Sequence, residues 1–177
     1  MKFEKLSADE MQRLDIERFK QAQKLPVCLI LDNIRSAHNI GSIFRTADAF
    51  RIESILLAGI SATPPQKDIM KTALGATETV HWEYFASTID AIQHVKESGY
   101  TVVAVEQVKQ SIALQDFTAG LKTAFVFGNE VSGVSTGALE LSDLCVEIPQ
   151  FGSKHSFNVA ITAGMVLWDT FIKTKHL

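Results

Sequence analysis

Residues 26–50 read PVCLILDNIRSAHNIGSIFRTADAF. The first part, Val27–Leu31, is apolar at every position, as in a strand that is buried on both faces. The second part predicts an amphipathic helix over about 39–50, because Ile40, Ile43 and Phe44 recur at helical spacing. A buried strand that leads directly into an amphipathic helix is typical of a parallel α/β fold.

The same alternation continues to the end of the chain. Further strands are expected at Ser54–Ala58, Tyr100–Val105, Ala124–Phe127 and Leu144–Ile148, and further helices at about 65–74, 88–98, 136–142 and 158–173. The sequence therefore predicts an α/β fold with a mostly parallel sheet flanked by helices. Ligands of such sheets bind beyond the carboxyl ends of the strands, so we expect function in the loops that follow them.

The N-terminal segment has a different pattern. Ser7 and Glu10 are spaced as in a capping box, which predicts a helix start, and Pro26 would end that helix. We expect residues 1–25 to be a helical extension and residues 26–177 to be one domain. The extension either packs against the core or a subunit interface, or it contacts an anionic partner.

The composition excludes several classes of protein. The 177 residues carry a net charge of −3, which argues against non-specific coating of nucleic acid. No run of about 20 apolar residues is present and the N-terminus is charged, so we expect a cytoplasmic protein without a membrane span. Cys28 and Cys145 lie in apolar runs without a metal-binding pattern, which favours buried thiols and no metal.

The loop after the first strand is rich in hydrogen-bond donors. Arg35, His38, Asn39 and Arg45 lie near the start of the predicted helix, an arrangement that suits an anion such as phosphate. An ordinary solvated helix face would have the same pattern. His38 is either a hydrogen-bonding residue of the helix start or a titratable base.

Two further loops follow buried strands. The loop after Phe127 contains Gly128, which permits close backbone approach, and Glu130, a carboxylate at the end of a strand. The loop 148–158 contains Ser156 and Asn158, either of which could cap the last helix. Neither a phosphate-binding P-loop nor the Gly-x-Gly-x-x-Gly dinucleotide motif is present.

Together these loops resemble, in order, the three motifs of the SpoU–TrmH family of SPOUT RNA methyltransferases. Asn39, Arg45 and the continuation Arg-Thr-Ala-Asp-Ala-Phe resemble the first motif. Phe-Gly-Asn-Glu with Gly133 resembles the second, and Ile-Pro followed by Gly and Ser-Phe-Asn-Val resembles the third. The resemblance covers roughly residues 27–172.

Two positions depart from the family pattern. Arg51 stands where the family often has glycine, and Phe157 stands where it usually has leucine. We expect a local change at the end of a helix in the first case. In the second, a large apolar side chain is retained, so a contact with adenine would survive.

The resemblance implies a C-terminal deep trefoil knot, a homodimer, and S-adenosylmethionine as the cofactor bound in the knot. It implies methyl transfer to a ribose 2′-hydroxyl of RNA. The residues that it places at the cofactor are Gly128, Ile148 and Phe157, with Val105 and Glu106 as weaker candidates. The residues that it places in catalysis are Arg45, Asn39, Glu130, Ser156 and Asn158.

The resemblance gives deprotonation of the hydroxyl to Arg45. A guanidinium has a pKa above 12 and is a poor base. Arg45 therefore either stabilises the developing alkoxide while a phosphate or water takes the proton, or acts as a transiently deprotonated base in a desolvated site.

The RNA substrate is expected to be tRNA, with a D-loop guanosine as one target, and ribosomal RNA is the alternative. A non-catalytic RNA-binding module on the same fold, or a flavodoxin-like or Rossmann-like small-molecule enzyme, would be consistent with the fold alone. We expect the RNA to contact a local basic patch that contains Arg13, Arg18, Arg35, Arg45, Lys67 and Lys71.

Overall fold

The structure is a computed structural model that describes residues 3–7, 10–11, 13–154 and 156–174. All pairs of neighbouring strands in its seven-stranded sheet are parallel, and the strand order is β3-β2-β1-β6-β4-β7-β5. The strands are β1 Leu25–Asp32, β2 Ile52–Ala58, β3 His81–Phe85, β4 Thr101–Val105, β5 Ile112–Ala113, β6 Thr123–Phe127 and β7 Leu144–Glu147.

Helices cover both faces of the sheet. They are α1 Ile16–Gln21, α2 Ala37–Ala49, α3 Lys67–Ala73, α4 Ala76–Thr79, α5 Thr88–Glu97, α6 Thr136–Leu141 and α7 Val159–Thr174, with a 3₁₀ turn at Leu114–Asp116. The predicted parallel α/β fold is confirmed. The trefoil knot that the family resemblance implies stays a prediction.

The central strands are buried on both faces, as their apolar runs predict. Along β1, Leu29 and Leu31 belong to the apolar cluster that contains the buried residues of α2 and α7. Cys28 and Ile30 belong to a second cluster, formed with α5 and α6. Side chains of a strand point alternately to opposite faces, so each face of the sheet has its own core.

Two strands were not predicted, and both lie at the sheet edges. Of the named strands, β3 pairs only with β2, and three of its five residues are exposed. β5 has two residues and pairs only with β7 among them. An edge strand that buries few side chains needs no apolar run, so the pattern that reveals the central strands is missing here.

The predicted N-terminal helix is wrong in its extent. The backbone N–H of Ser7 donates to Glu10 Oε2 at 2.7 Å, so the capping-box contact is present. The helix itself covers only Ile16–Gln21 and is capped by Asp15. Phe19 is its one buried residue, and short helices with so little packing are marginal in water. Pro26 lies within β1 instead of ending a helix.

Both cysteines are free thiols. Cys28 is buried, as expected, and burial raises its pKa to about 12, so the thiol stays protonated at neutral pH. Cys145 is only partly buried, and burial raises its pKa as well.

The strand order creates a crevice at one edge of the sheet. After β1 the chain continues outward to β2 and β3, whereas β6, on the other side of β1, neighbours β4. The carboxyl ends of β1, β6 and β4 are in register, because Leu31 and Val105 both pair with Phe127. Such a switch in strand order is where parallel α/β sheets bind ligands.

Candidate functional site

A cavity of about 690 Å³ lies at the carboxyl ends of β4, β6 and β7. Its walls are the loops that follow these three strands and the first turn of α7. The volume is within the range of small-molecule sites in proteins.

Most of the residues singled out from the sequence line this cavity. All five candidates for cofactor binding do so, namely Val105, Glu106, Gly128, Ile148 and Phe157. Three of the five candidates for catalysis do so as well, namely Glu130, Ser156 and Asn158. Asn39 reaches the site through hydrogen bonds, and Arg45 does not line the cavity.

The loop after β6 is folded tightly against the strand end. The backbone N–H groups of Asn129 and Gly133 each donate to the other's carbonyl oxygen, at 3.0 and 2.9 Å. A Cβ atom at Gly128 would overlap the backbone nitrogen of Val134 and the carbonyl of Gly133. Only glycine therefore allows the backbone to pass this closely at the cavity wall.

Asn129 shapes the same loop and was not among the predicted site residues. Its Oδ1 accepts hydrogen bonds from the backbone N–H groups of Val131 at 2.9 Å and Ser132 at 3.1 Å. Its Nδ2 donates to the carbonyl of Asn33 at 2.6 Å, which joins this loop to the loop after β1. The only signal in the sequence was its place beside Gly128 in the second motif.

Glu130 joins the second loop to the start of α2. Its carboxylate accepts from the backbone N–H groups of Arg35 at 2.9 Å and Ser36 at 3.1 Å, and from Asn39 Nδ2 at 3.0 Å. Burial acts to raise the pKa of Glu130, but these hydrogen bonds outweigh it and lower the pKa below its usual value. The anion that contacts these N–H groups is thus a side chain of the protein, where the sequence suggested a phosphate.

Asn158 joins the third motif to the other two. Its Nδ2 donates to Asn39 Oδ1 at 3.1 Å, while its Oδ1 accepts from the backbone N–H of Ala160 at 2.9 Å. The side chain therefore caps α7 and at the same time contacts α2. Glu130, Asn39 and Asn158 form one hydrogen-bonded chain across the three motif loops, which we call the motif network.

Arg45 lies apart from the motif network. It is exposed on α2, six residues after Asn39, which is about 9 Å along the helix axis and about 120° around it. His38 is also exposed, and its carbonyl accepts from Ser42 Oγ at 2.9 Å and Thr72 Oγ1 at 3.1 Å. Arg45 and Asn39 therefore lie on different sides of α2 within one copy of the chain.

Asp32 is a second residue that the sequence reasoning missed. It is fully buried at the end of β1. Its carboxylate accepts from Thr88 Oγ1 at 2.5 Å and from the backbone N–H of Ser135 at 2.7 Å. It thereby fixes the starts of α5 and α6 beside the site. An acidic residue directly after an apolar strand was the available signal.

The electrostatics of the cavity favour a cation. The described residues that line it include Glu106, Glu130 and Glu147 and no lysine, arginine or histidine. Within the described ranges, no cluster of three or more His, Cys, Asp or Glu is arranged to hold a metal ion.

None of the described helices is both long and apolar enough to cross a bilayer.

The model of the SpoU rRNA methylase family matches residues 26–168. The chain belongs to the SpoU rRNA methylase family. A SpoU relative from Neisseria meningitidis serogroup B, a 23S rRNA (guanosine-2'-O-)-methyltransferase RlmB, is 35% identical over 150 residues. That match covers 82% of this chain and 58% of the relative, and the match to a Staphylococcus saprophyticus relative covers 63% of its length. The chain thus spans about three-fifths of these relatives.

Solved structures show the same SpoU fold. The A. aeolicus TrmH/SpoU tRNA modifying enzyme superposes with a TM-score of 0.79 at 24% identity, covering 90% of this chain and 82% of that one. The SpoU methyltransferase AviRb from Streptomyces viridochromogenes, in complex with AdoMet, gives 0.77 at 25% identity. That match covers 94% of this chain and 64% of AviRb.

Proposed function

We propose that this chain transfers a methyl group from S-adenosylmethionine to a ribose 2′-hydroxyl of RNA. The observation that carries the proposal is the cavity at the carboxyl ends of β4, β6 and β7, which is built from the loops of the second and third motifs and joined to the first motif by the motif network. The names of the Neisseria relative and the AdoMet complex of AviRb support it.

The cavity fits S-adenosylmethionine in charge and size. This cofactor carries a sulfonium and an ammonium against one carboxylate, and three glutamates line a cavity of about 690 Å³. Five residues would hold it, namely Val105, Glu106, Gly128, Ile148 and Phe157. When bound, it supplies a methyl group on a positively charged sulfur.

The RNA oxygen must lose a proton as it gains the methyl group. A ribose hydroxyl is a very weak acid, so stabilising its developing negative charge lowers the barrier. We give this role to Arg45, while a phosphate or water takes the proton. Because Arg45 lies outside the cavity of one copy, the role requires the RNA or a second copy to bring the guanidinium to the reacting oxygen.

The motif network would position the other groups. Glu130 holds Asn39 and the first turn of α2, and Asn39 in turn contacts Asn158 at the start of α7. These side chains bond to one another, so we treat them as residues that fix the cavity wall. Ser156 lines the cavity and would contact the cofactor or the ribose.

The homodimer expected from the resemblance has a suitable surface on α7. Ile161, Trp168 and Ile172 are exposed and spaced by seven and four residues, so they form one apolar stripe. We propose that this α7 stripe packs against a second copy of the chain.

For the substrate we retain tRNA as the first candidate and ribosomal RNA as the second. The second candidate is favoured by the name of the Neisseria relative, which acts on 23S rRNA. Arg35 precedes α2, Arg45 lies on α2, and Lys67 and Lys71 lie on α3. All four are exposed and the two helices pack together, so we infer that these residues bind phosphates of the RNA. A cytoplasmic location belongs to the same proposal.

The test is methylation of purified tRNA and ribosomal RNA with radiolabelled S-adenosylmethionine, by the wild type, Arg45→Ala and Arg45→Lys. Label in one RNA class, lost in Arg45→Ala and reduced in Arg45→Lys, is the expected result. Full activity of Arg45→Lys would show that a positive charge is sufficient and that the planar guanidinium is not needed. No label and no binding of S-adenosylhomocysteine by calorimetry would favour the non-catalytic alternative.

A further inference from the structure

Phe151 is the most exposed large apolar side chain in the part of the chain that the structure describes, with 98% of its surface accessible. It follows Gln150, which lines the cavity, so its Cα lies about 4 Å from the Cα of a cavity residue. A phenylalanine left in water at the edge of a ligand site forgoes the free energy that burial of its ring would gain. The position is therefore a candidate for contact with the substrate.

The cavity that Phe151 adjoins in the chain is lined by both acidic and exposed apolar side chains. Three glutamates line it, and so do Val131, which is 81% exposed, and Phe157, which is 41% exposed. Lys154, three residues after Phe151, is exposed and cationic. An aromatic ring and a cation three residues apart on one exposed loop suit an unstacked nucleotide, which presents a base and a phosphate together.

We propose that Phe151 stacks on a base of the RNA substrate, next to the ribose that receives the methyl group, and that Lys154 contacts a neighbouring phosphate. The inference rests on the proposed function, because an RNA that receives a methyl group from the cofactor has to place its ribose at the entrance of the cavity. It adds a residue that binds the substrate and lies outside the motif network.

The Phe151 ring could instead contact the cofactor or a second copy of the chain, and these two alternatives make different predictions. A ring that closes over the cofactor would affect binding of S-adenosylhomocysteine. A ring that packs against a second copy of the chain would affect the mass of the particle in solution. Stacking on RNA affects neither.

The experiment compares Phe151→Ala, Phe151→Leu and Phe151→Trp in the methylation assay. We expect Phe151→Ala to raise the KM for RNA about 5- to 150-fold, the range for loss of one stacked base, with a smaller change in kcat. Phe151→Trp should remain close to the wild type, and Phe151→Leu should resemble alanine because it keeps apolar area but has no aromatic face. The affinity for S-adenosylhomocysteine and the oligomeric mass should not change in any of the three.

Leu121→Ala is the matched control, since Leu121 is 83% exposed and precedes β6 at the opposite edge of the sheet. An unchanged KM in Phe151→Ala, or a full rescue by leucine, would overturn base stacking while wild-type methylation still supports the enzyme. Weaker binding of S-adenosylhomocysteine would assign the ring to the cofactor, and dissociation of the particle would assign it to the contact with a second copy. Absence of methylation by the wild type would instead refute the proposed function.

Discussion

At the scale of single residues, the backbone at the cavity wall depends on glycine. Gly128 lies so close to the backbone of Gly133 and Val134 that a Cβ atom added to it would overlap them. Gly133 has a φ of +70° and faces Glu106, whose carboxylate accepts from the N–H of Val134 at 2.9 Å. The Glu106 carboxylate therefore holds this loop together with its backbone contacts and the Asn129 side chain.

We expect Gly128→Ala to displace this loop. Its methyl group would meet backbone atoms that have no rotamer to change, so the variant should lose about 1–3 kcal/mol of stability and bind S-adenosylhomocysteine at least about tenfold more weakly. Urea unfolding and calorimetry measure the two effects. Gly152→Ala is the control in the third loop, where an added Cβ meets nothing within 4 Å. Wild-type affinity in Gly128→Ala would show that the close approach does not shape the cavity.

Glu130 should make stability depend on pH. Because its pKa is lowered in the folded state, the stabilisation is complete above the unfolded-state pKa near 4.5 and is lost as the pH falls through the folded-state value. Glu130→Gln should therefore lower the free energy of unfolding at pH 7 by at most about 1 kcal/mol, because the carboxylate is exposed and water screens its contacts, and the difference from the wild type should shrink below pH 4.5. Chemical unfolding at pH 7 and in acid tests this. A difference that is equal at both pH values, or matched by the exposed Glu140→Gln, would contradict it.

At the scale of elements, the start of α7 connects fold and site through one side chain. Asn158 accepts from the N–H of Ala160 as a helix cap and donates to Asn39 as part of the motif network. A capping residue need only accept a hydrogen bond, whereas the contact to Asn39 Oδ1 needs a donor. The two roles can therefore be separated by substitution.

Asn158→Asp should keep the cap and break the network. A carboxylate still accepts from Ala160, so stability should stay within about 0.5 kcal/mol of the wild type, whereas Asn158→Ala should lose about 1 kcal/mol. Asn39 would have to turn its amide to pair with the new carboxylate and would then lose Glu130, so methylation should fall at least about tenfold in both variants.

Thermal unfolding and the methylation assay separate the two effects. Ser87→Ala is the control, because it removes the cap of α5 without changing any residue of the motif network. Full activity of Asn158→Asp would mean that the link to Asn39 is not needed for the reaction.

The elements also show what the sequence could and could not predict. β1, β2, β4 and β6 were found because strands buried on both faces need apolar residues almost throughout, and β7 was found from its apolar run although Leu144 is 40% exposed. The edge strand β3 and the short α1 bury too little to leave such a pattern. The structure of an element with little burial depends on contacts with residues that are distant in the sequence, and the local sequence does not reveal these contacts.

The same limit applies to the site. The motif loops could be placed at the carboxyl edge of the sheet, because parallel strands end there. The motif network could not, since Glu130 and Asn39 are 91 residues apart and Asn39 and Asn158 are 119 apart. Their pairing depends on a strand order that joins β1 to β6 across the sheet. Arg45 and Asn39 are close in the sequence and were therefore grouped together, but the turn of α2 separates their side chains by about 120° around the helix axis.

At the scale of the whole molecule, the α7 stripe is an apolar surface on an otherwise well-packed helix. α7 buries Val159, Ala163, Val166 and Leu167 against the sheet, while Trp168 lies 6.1 Å from Phe171 between ring centres and remains 55% exposed. Exposed apolar stripes of this kind mark contact surfaces.

We expect Ile161→Glu to yield a monomer. Both Ile161 and Ile172 are about half exposed, so the charge costs little within one copy, but in a symmetric interface each side chain would meet the partner's stripe and the charge would be buried twice. Light scattering should give twice the chain mass of 19.5 kDa for the wild type and for Leu121→Glu, and the single mass for Ile161→Glu and Ile172→Glu. A monomeric wild type, or dimers in all four, would exclude this stripe. Under the proposed mechanism, either the RNA or a second copy brings Arg45 to the reacting oxygen, and methylation by the monomeric variants decides between them. Retained activity would assign this role to the RNA, and lost activity with intact cofactor binding would assign it to the second copy.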